Sequence, residues 1–99
     1  MIPFAFVSRH QPTPEQFALS REKGIDLVPV GDLDAFTVEV HHILERLPEA
    51  EGVVVVHPAA AMRLSWYFLV GVFENANRAP EGAPPSFQAV ALHLFNRRA

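Results

Sequence analysis

The sequence predicts a three-layer α/β domain in which a mainly parallel four-stranded sheet carries helices on both faces. Short apolar segments alternate with segments that begin at helix-capping residues, in the order strand, helix, strand, helix, strand, helix, strand. This alternation is typical of parallel sheets, because a crossover helix joins neighbouring parallel strands. A length of 99 residues predicts one domain over 1–99, and a hydrophobic content of 49% excludes intrinsic disorder.

The first half of the chain contains two strand and two helix signals. Residues 2–8 are apolar without alternation, which predicts a strand buried on both faces. The segment Thr13-Pro14-Glu15-Gln16 predicts a helix over 14–23, with Thr13 as N-cap, proline at the first helical position and Gln16 closing a capping box. Residues 25–30 predict the second strand. Asp34 is expected to cap a second helix that ends at residue 47.

The second half predicts a strand, a long helix and a last strand. Four consecutive valines predict a strand over 53–56, and residues 86–95 predict another after a proline-rich loop over 79–85. Residues 59–76 are expected to form the third helix. Because its side chains are apolar almost all round, it needs cover on more than one side, which predicts a homodimer through this helix.

Composition narrows the class of function. Eight basic against eleven acidic side chains give a net charge of -3, which argues against long nucleic acid as a partner. No cysteine is present, so no disulfide or thiolate site is possible, and no spacing matches a zinc site or a phosphate-binding loop. We expect no metal and no cofactor. With no apolar stretch long enough for a bilayer and no secretory-signal pattern, we expect a cytoplasmic protein without a membrane partner.

Candidate binding residues follow the first strand, since ligands of parallel sheets bind outside the carboxyl ends of the strands. Hydroxyl, guanidinium and imidazole groups with free backbone N–H groups suit a phosphate ester, and His10 is a candidate general acid, general base or nucleophile. In the alternative interpretation, Thr13 and Gln16 only cap the helix. Arg9 and His10 are then solvated loop residues. The candidates are Ser8, Arg9, His10, Gln11, Thr13 and Gln16.

Two further turns follow strand ends. In His57-Pro58-Ala59-Ala60-Ala61 the small residues leave a helix start open to an anion. The alternative is a helix packed tightly on the sheet, with His57 bonded to a carbonyl group. Asp32 after the second strand suits a ribose hydroxyl, although capping is the favoured interpretation. His93 is interpreted as a structural histidine, and Trp66 and Tyr67 as core or interface residues.

Residues 6–16 resemble the start of the small CRISPR-accessory proteins of type III systems. In those proteins a first strand ends in Ser-His or Arg-His and leads into His-x-x-Thr-Pro-Glu-Gln, which His10, Thr13, Pro14, Glu15 and Gln16 match. Residues 55–61 resemble their Pro- and Ala-rich turn after the third strand. The resemblance implies a small Rossmann-like (CARF-like) fold and a homodimer. It also implies that the dimer interface binds a cyclic oligoadenylate, expected to be cyclic tetra-adenylate, and sequesters it or cleaves it without metal.

If this resemblance holds, Arg9 and the helix N-termini stabilise the charge that develops on the phosphate. His10 donates a proton to the leaving oxygen or acts as an electrostatic partner. The binding set would also include residues from all three turns: Ser8, Gln11, Thr13, Gln16, Asp32, His57, Pro58, Ala59 and Ala60.

Two alternatives belong to other classes. Ser8-Arg9-His10-Gln11 is also similar to the Arg-His-Gly motif of histidine phosphatases, and residues 55–59 are similar to their second histidine turn, but both glycines after the histidines are absent. That similarity implies a phosphohistidine at His10. The third possibility is a non-catalytic dimerisation module.

Overall fold

The computed structural model describes residues 1–34 and 36–96, which form an α/β fold with helices on both faces of a sheet. The strands are β1 (Ile2–Val7), β2 (Ile25–Gly31), β3 (Gly52–Val55), β4 (Leu69–Asn77) and β5 (Phe87–Phe95). The helices are α1 (Pro14–Glu22), α2 (Val40–Arg46) and α3 (Pro58–Leu64). The predicted α/β class is confirmed.

The sheet has five strands in the order β2-β1-β3-β4-β5, so the predicted count of four is wrong. The first four are parallel to one another, and β5 runs antiparallel to β4. The connection between β4 and β5 explains this direction. It contains only residues 78–86, whereas a return to a parallel strand needs a dozen residues or more.

The additional strand is β4, and it forms because the predicted third helix ends early. α3 stops at Leu64, and residues 69–77 of the predicted helix form β4. The Ser65 hydroxyl donates to the carbonyl of Met62 at 2.6 Å, and the backbone N–H of Phe68 closes the last turn on Leu64. The following apolar run is a strand covered on both faces by this same chain. A long apolar helix is therefore not available to form the predicted dimer.

The predicted start of the second helix is also wrong. Asp34 does cap, since its Oδ1 accepts from the backbone N–H of Phe36 at 2.8 Å, but it caps a turn. Glu39 is still extended and α2 begins at Val40. Val38 leaves the turn to enter the core, where it is 3% exposed, so burial of this β-branched side chain outweighs continued helix.

Side chains of β1 alternate between two hydrophobic clusters. Phe4 and Phe6 pack with residues of α1, whereas Ala5 and Val7 pack with residues of α2 and α3. The predicted burial of β1 on both faces is confirmed. Within the described residues, no helix is long and apolar enough to cross a membrane.

Candidate functional site

A cleft of about 540 Å³ lies at the carboxyl ends of β1, β2 and β3. The predicted residues Ser8, Arg9, His10, Asp32, His57 and Ala60 all line it. They meet because the carboxyl ends of parallel strands share one edge of a sheet. The remaining lining residues are Val7, Leu33, Asp34, Phe36, Val38, Val55 and Val56.

Backbone hydrogen bonds shape the turn after β1. The N–H of Ser8 donates to the carbonyl of Gly31 at 3.1 Å, which ties this turn to the end of β2. Gly31 has a φ of 84°, a conformation that strongly favours glycine. The Ser8 hydroxyl oxygen accepts from the N–H of His10 at 3.0 Å, so its own proton remains available to a ligand. Arg9 and His10 follow with exposed side chains at the rim of the cleft.

Two arginines that the sequence analysis missed hold the loop between β2 and α2. Arg46 Nη1, at the end of α2, donates to the carbonyls of Val30 at 2.7 Å and Asp32 at 3.2 Å. Arg63 Nη1, on α3, donates to the carbonyl of Phe36 at 2.6 Å. These bonds bring Asp32 and Phe36 to the cleft. Their partners are 14 to 27 residues apart in the chain, so no local sequence signal announces them.

His57 is a helix cap and a cleft residue at once. Its Nδ1 accepts from the N–H of Ala59 at 3.1 Å, and its ring meets the Phe36 ring edge-on with centroids 5.0 Å apart. The bond that the structure shows for His57 is thus to an N–H group, while the burial of Ala60 and Ala61 agrees with the alternative of a helix packed tightly on the sheet. Because a neutral imidazole has one donor and one acceptor nitrogen, Nε2 carries the proton. His57 is thereby a hydrogen-bond donor, held by two contacts.

The starts of α1 and α3 contribute less than predicted. Proline at the first position removes one N–H from each helix, and the Thr13 and His57 side chains accept those of Gln16 and Ala59. The predicted capping box is confirmed, with Gln16 Oε1 accepting from the N–H of Thr13 at 2.9 Å. With these two N–H groups used by the caps, an anion in the cleft depends more on side chains than the sequence predicts. Five predicted binding residues are not among those that line the cleft: Gln11, Thr13, Gln16, Pro58 and Ala59.

The cleft contains groups of both charges. Arg9 is the one Lys or Arg among the described residues that line it, and Asp32 and Asp34 contribute two carboxylates. A guanidinium can hold a phosphate through paired hydrogen bonds, while carboxylates accept from hydroxyl and amino groups. The arrangement therefore suits a ligand that combines a phosphate with hydrogen-bond donors. Among residues 1–34 and 36–96, no group of three or more His, Cys, Asp or Glu is placed to hold a metal ion.

The other candidate side chains lie outside this cleft. His93 Nε2 is 3.0 Å from Glu74 Oε1 on the surface of the sheet, so it has a partner within the protein. Trp66 and Tyr67 are exposed, which rules out a core role within one chain. With residues of α2 and α3 they line a second cavity of about 750 Å³. Val38 lines both cavities, so they are neighbours.

Comparisons of the chain with models of known protein families, with curated proteins and with solved structures give no match in any of the three.

Proposed function

We propose that this chain is a small Rossmann-like (CARF-like) protein that binds a cyclic oligoadenylate, cyclic tetra-adenylate, in the cleft at the carboxyl ends of β1, β2 and β3. One observation carries the proposal: residues 8–10, Asp32 and His57, from three separate segments, line a single cavity. The resemblance of residues 6–16 to the type III CRISPR-accessory proteins supplies the identity of the ligand.

The groups of the cleft match the groups of an adenylate. Arg9 binds a phosphate, and His57 Nε2–H with the Ser8 hydroxyl donates to phosphate oxygens. The carboxylates of Asp32 and Asp34 accept from ribose hydroxyl or adenine amino groups. Because one arginine faces two carboxylates, the cleft favours a compact ligand over a long polyanion.

The same contacts suit cleavage of the ring without a metal ion. A ribose 2′-hydroxyl attacks the neighbouring phosphorus, and the bond from phosphorus to the 5′ oxygen breaks. Arg9 stabilises the added negative charge, His10 donates a proton to the 5′ oxygen, and water takes the proton of the 2′-hydroxyl. The products are linear adenylates with 2′,3′-cyclic phosphate and 5′-hydroxyl ends. Without this alignment the protein sequesters the ring, and either outcome lowers the concentration of the free messenger.

A second copy of the chain supplies the space that a ring needs. A volume of about 540 Å³ suits one drug-sized ligand, whereas a ring of four nucleotides is larger. Beside the cleft, Leu44, Met62, Trp66 and Tyr67 are between 37% and 64% exposed. At about 150–250 Å² per large side chain they present roughly 400 Å². This is about half of one partner's share of a standard interface. We therefore propose a homodimer through this surface, with one ring between two clefts.

Incubation of the purified protein with cyclic tetra-adenylate in EDTA tests binding and cleavage together. We expect calorimetry to give one ring per two chains, because two clefts share each ring. Chromatography then separates the two fates of the ring: linear adenylates indicate cleavage, and an intact ring that comigrates with the protein indicates sequestration. A ring that neither binds nor changes contradicts the proposed function.

The dimer surface has its own test. Tyr67→Arg places a charge in the exposed apolar surface and should convert a dimer of two chains into a monomer, measured by light scattering during size-exclusion chromatography. Phe87→Arg is the matched control, since Phe87 is similarly exposed on β5 and does not line either cavity. A wild-type chain that is monomeric with and without the ring contradicts the dimer. So does a Tyr67→Arg variant that remains dimeric.

Two imidazoles and a guanidinium on one cavity favour a phosphoester hydrolase as the second candidate function. In that reaction His10 attacks the phosphorus of a phosphomonoester, the alcohol leaves and water hydrolyses the phosphohistidine. Mass spectrometry after rapid acid-free quenching with a phosphomonoester detects the adduct. Its presence at His10, with no binding of cyclic tetra-adenylate, would favour this candidate over the first.

A further inference from the structure

Phe36 is the most exposed aromatic side chain in the described part of the chain, with 73% of its surface accessible. It lies on the loop between β2 and α2 and lines the cleft together with Arg9, His10 and Asp32. A large apolar ring in water is unfavourable, and this one lies at a cleft whose lining includes charged side chains such as Arg9 and Asp32. Phe87 is almost as exposed, so it is the place of Phe36 in the cleft, and not exposure alone, that indicates contact with a ligand.

Three contacts hold Phe36 at the rim. Its N–H donates to Asp34 Oδ1 at 2.8 Å, and its carbonyl accepts from Arg63 Nη1 at 2.6 Å. Its ring meets the His57 ring edge-on, with an angle of 63° between the ring planes. The backbone is thus anchored on both sides of the residue, while most of the ring surface remains accessible. A ring held in place before the ligand arrives loses little conformational freedom on binding.

The neighbours of Phe36 indicate the chemistry of what contacts it. Arg9 supplies a cation for a phosphate, and the carboxylate of Asp32 accepts hydrogen bonds. A ligand that satisfies these groups and also covers an exposed aromatic ring has a phosphate, donor groups and a flat apolar face. A nucleobase attached to a ribose phosphate has all three, and stacking on an aromatic side chain is a common way to bind one.

We infer that Phe36 stacks on a nucleobase of the ligand and thereby gives the cleft a preference for purine over pyrimidine rings. Arg63 is a positioning residue, because it holds the Phe36 carbonyl and not the base. The inference rests on the proposed function and adds to it a residue that determines specificity. It assigns Phe36 to the base and Arg9 to the phosphate, so the two roles are separable by substitution.

The test compares Phe36→Leu and Phe36→Tyr with the wild-type chain. Cyclic tetra-adenylate and cyclic tetra-uridylate are the probes, and calorimetry measures the affinities. Because one ring would contact Phe36 in both clefts of the dimer, Phe36→Leu removes both stacking contacts and should weaken binding of the adenylate ring by at least about tenfold. The uridylate ring should lose less, because pyrimidines have a smaller face to stack. Phe36→Tyr keeps the aromatic ring, so it should retain the wild-type affinity for the adenylate ring and the preference for it over the uridylate ring.

Proton NMR of the bound adenylate ring supplies a readout that a purely structural role would not change. Stacking on Phe36 should shift the adenine H2 or H8 resonance upfield in the wild-type complex, and the shift should vanish in Phe36→Leu. Phe87→Leu is the control, since Phe87 is 68% exposed but lies on β5 outside the cleft.

The outcomes separate this inference from the proposed function. Wild-type affinity in Phe36→Leu overturns the inference and leaves the proposed function standing. Equal losses for the two rings that Phe36→Tyr does not restore also overturn it, since they indicate a structural role for Phe36. Failure of the wild-type chain to bind either ring contradicts the proposed function itself.

Discussion

Arg9→Ala should weaken binding of cyclic tetra-adenylate by about 100-fold, which corresponds to about 2.7 kcal/mol. Arg9 is the one Lys or Arg among the described residues that line the cleft, and the first-turn N–H groups of Gln16 and Ala59 are already bound by caps. Within one cleft, the described lining residues therefore offer no other Lys or Arg to replace the guanidinium, and in the proposed dimer the substitution removes it from both clefts. A hydrogen bond to a charged group contributes about 1.5–3 kcal/mol, so the loss of a paired contact accounts for this magnitude. Isothermal titration calorimetry measures it.

Two further variants show whether the effect is local. Arg78→Ala removes the same charge from the connection between β4 and β5, outside the cleft, and should change the affinity by less than about twofold. Arg9→Lys keeps the charge but not the paired geometry and should fall between wild type and Arg9→Ala. Equal losses of affinity in Arg78→Ala and Arg9→Ala would show that binding depends on the net charge of the protein and not on Arg9 itself. If Arg9→Ala binds the ring as tightly as wild type, a phosphate site at Arg9 in the cleft is contradicted.

His10→Ala distinguishes binding from cleavage. If the ring is cleaved, the variant should bind it with an affinity close to that of wild type but cleave it more slowly, because the 5′ oxygen then leaves without a proton donor. Equal rates of cleavage in the two proteins would exclude His10 as the acid.

Gly52→Ala should destabilise the fold by about 2 kcal/mol, or roughly 10 °C in Tm. Gly52 and Phe4 are paired in the register of β3 and β1, and a methyl group on Gly52 would overlap the Phe4 ring. Phe4 is 0% exposed and packs in the cluster beneath α1, so the ring has no free space to move into. The new methyl group therefore forces a strained rotamer or a shift of β3. Thermal and urea unfolding followed by circular dichroism measure the loss.

A double variant checks the cause of that loss. Phe4→Leu alone should destabilise the chain because it removes buried apolar atoms. In the presence of Gly52→Ala, however, Phe4→Leu should lower the free energy of unfolding by much less, since the shorter side chain makes room for the methyl group. Additive losses in the double variant would show that overlap with Phe4 is not the reason. An unchanged Tm in Gly52→Ala would contradict the packing of Phe4 over Gly52.

Local chemistry explains the parts of the fold that were predictable. The Thr13 and Gln16 capping box lies within four residues and forms as expected at the start of α1. The strands β1, β2 and β3 are short apolar runs bounded by turn residues, and each forms within one residue of its predicted limits. Parallel strand ends then place Ser8, Arg9, His10, Asp32 and His57 along one edge. That part of the candidate site follows from element order alone.

The two errors in the predicted helices have a common cause: in each case the local sequence fits two structures equally well. Residues 66–73 are apolar without a clear period, and such a run suits a buried helix as well as a strand buried on both faces. Only the packing of Val70 and Phe73 in the two clusters, on opposite faces of the sheet, decides for β4. Likewise, Asp34 caps equally well a turn or a helix, and the burial of Val38 selects the turn.

The sequence by itself determined the α/β class, the capping of α1 and the polar residues that follow three strand ends, because these depend on neighbours a few residues apart. Only the tertiary structure decided the additional strand β4 and the position of Phe36. Arg46 and Arg63 reach carbonyls 14 to 27 residues away. Contacts at that separation depend on how the elements pack, so the rim of the cleft is a property of the folded chain.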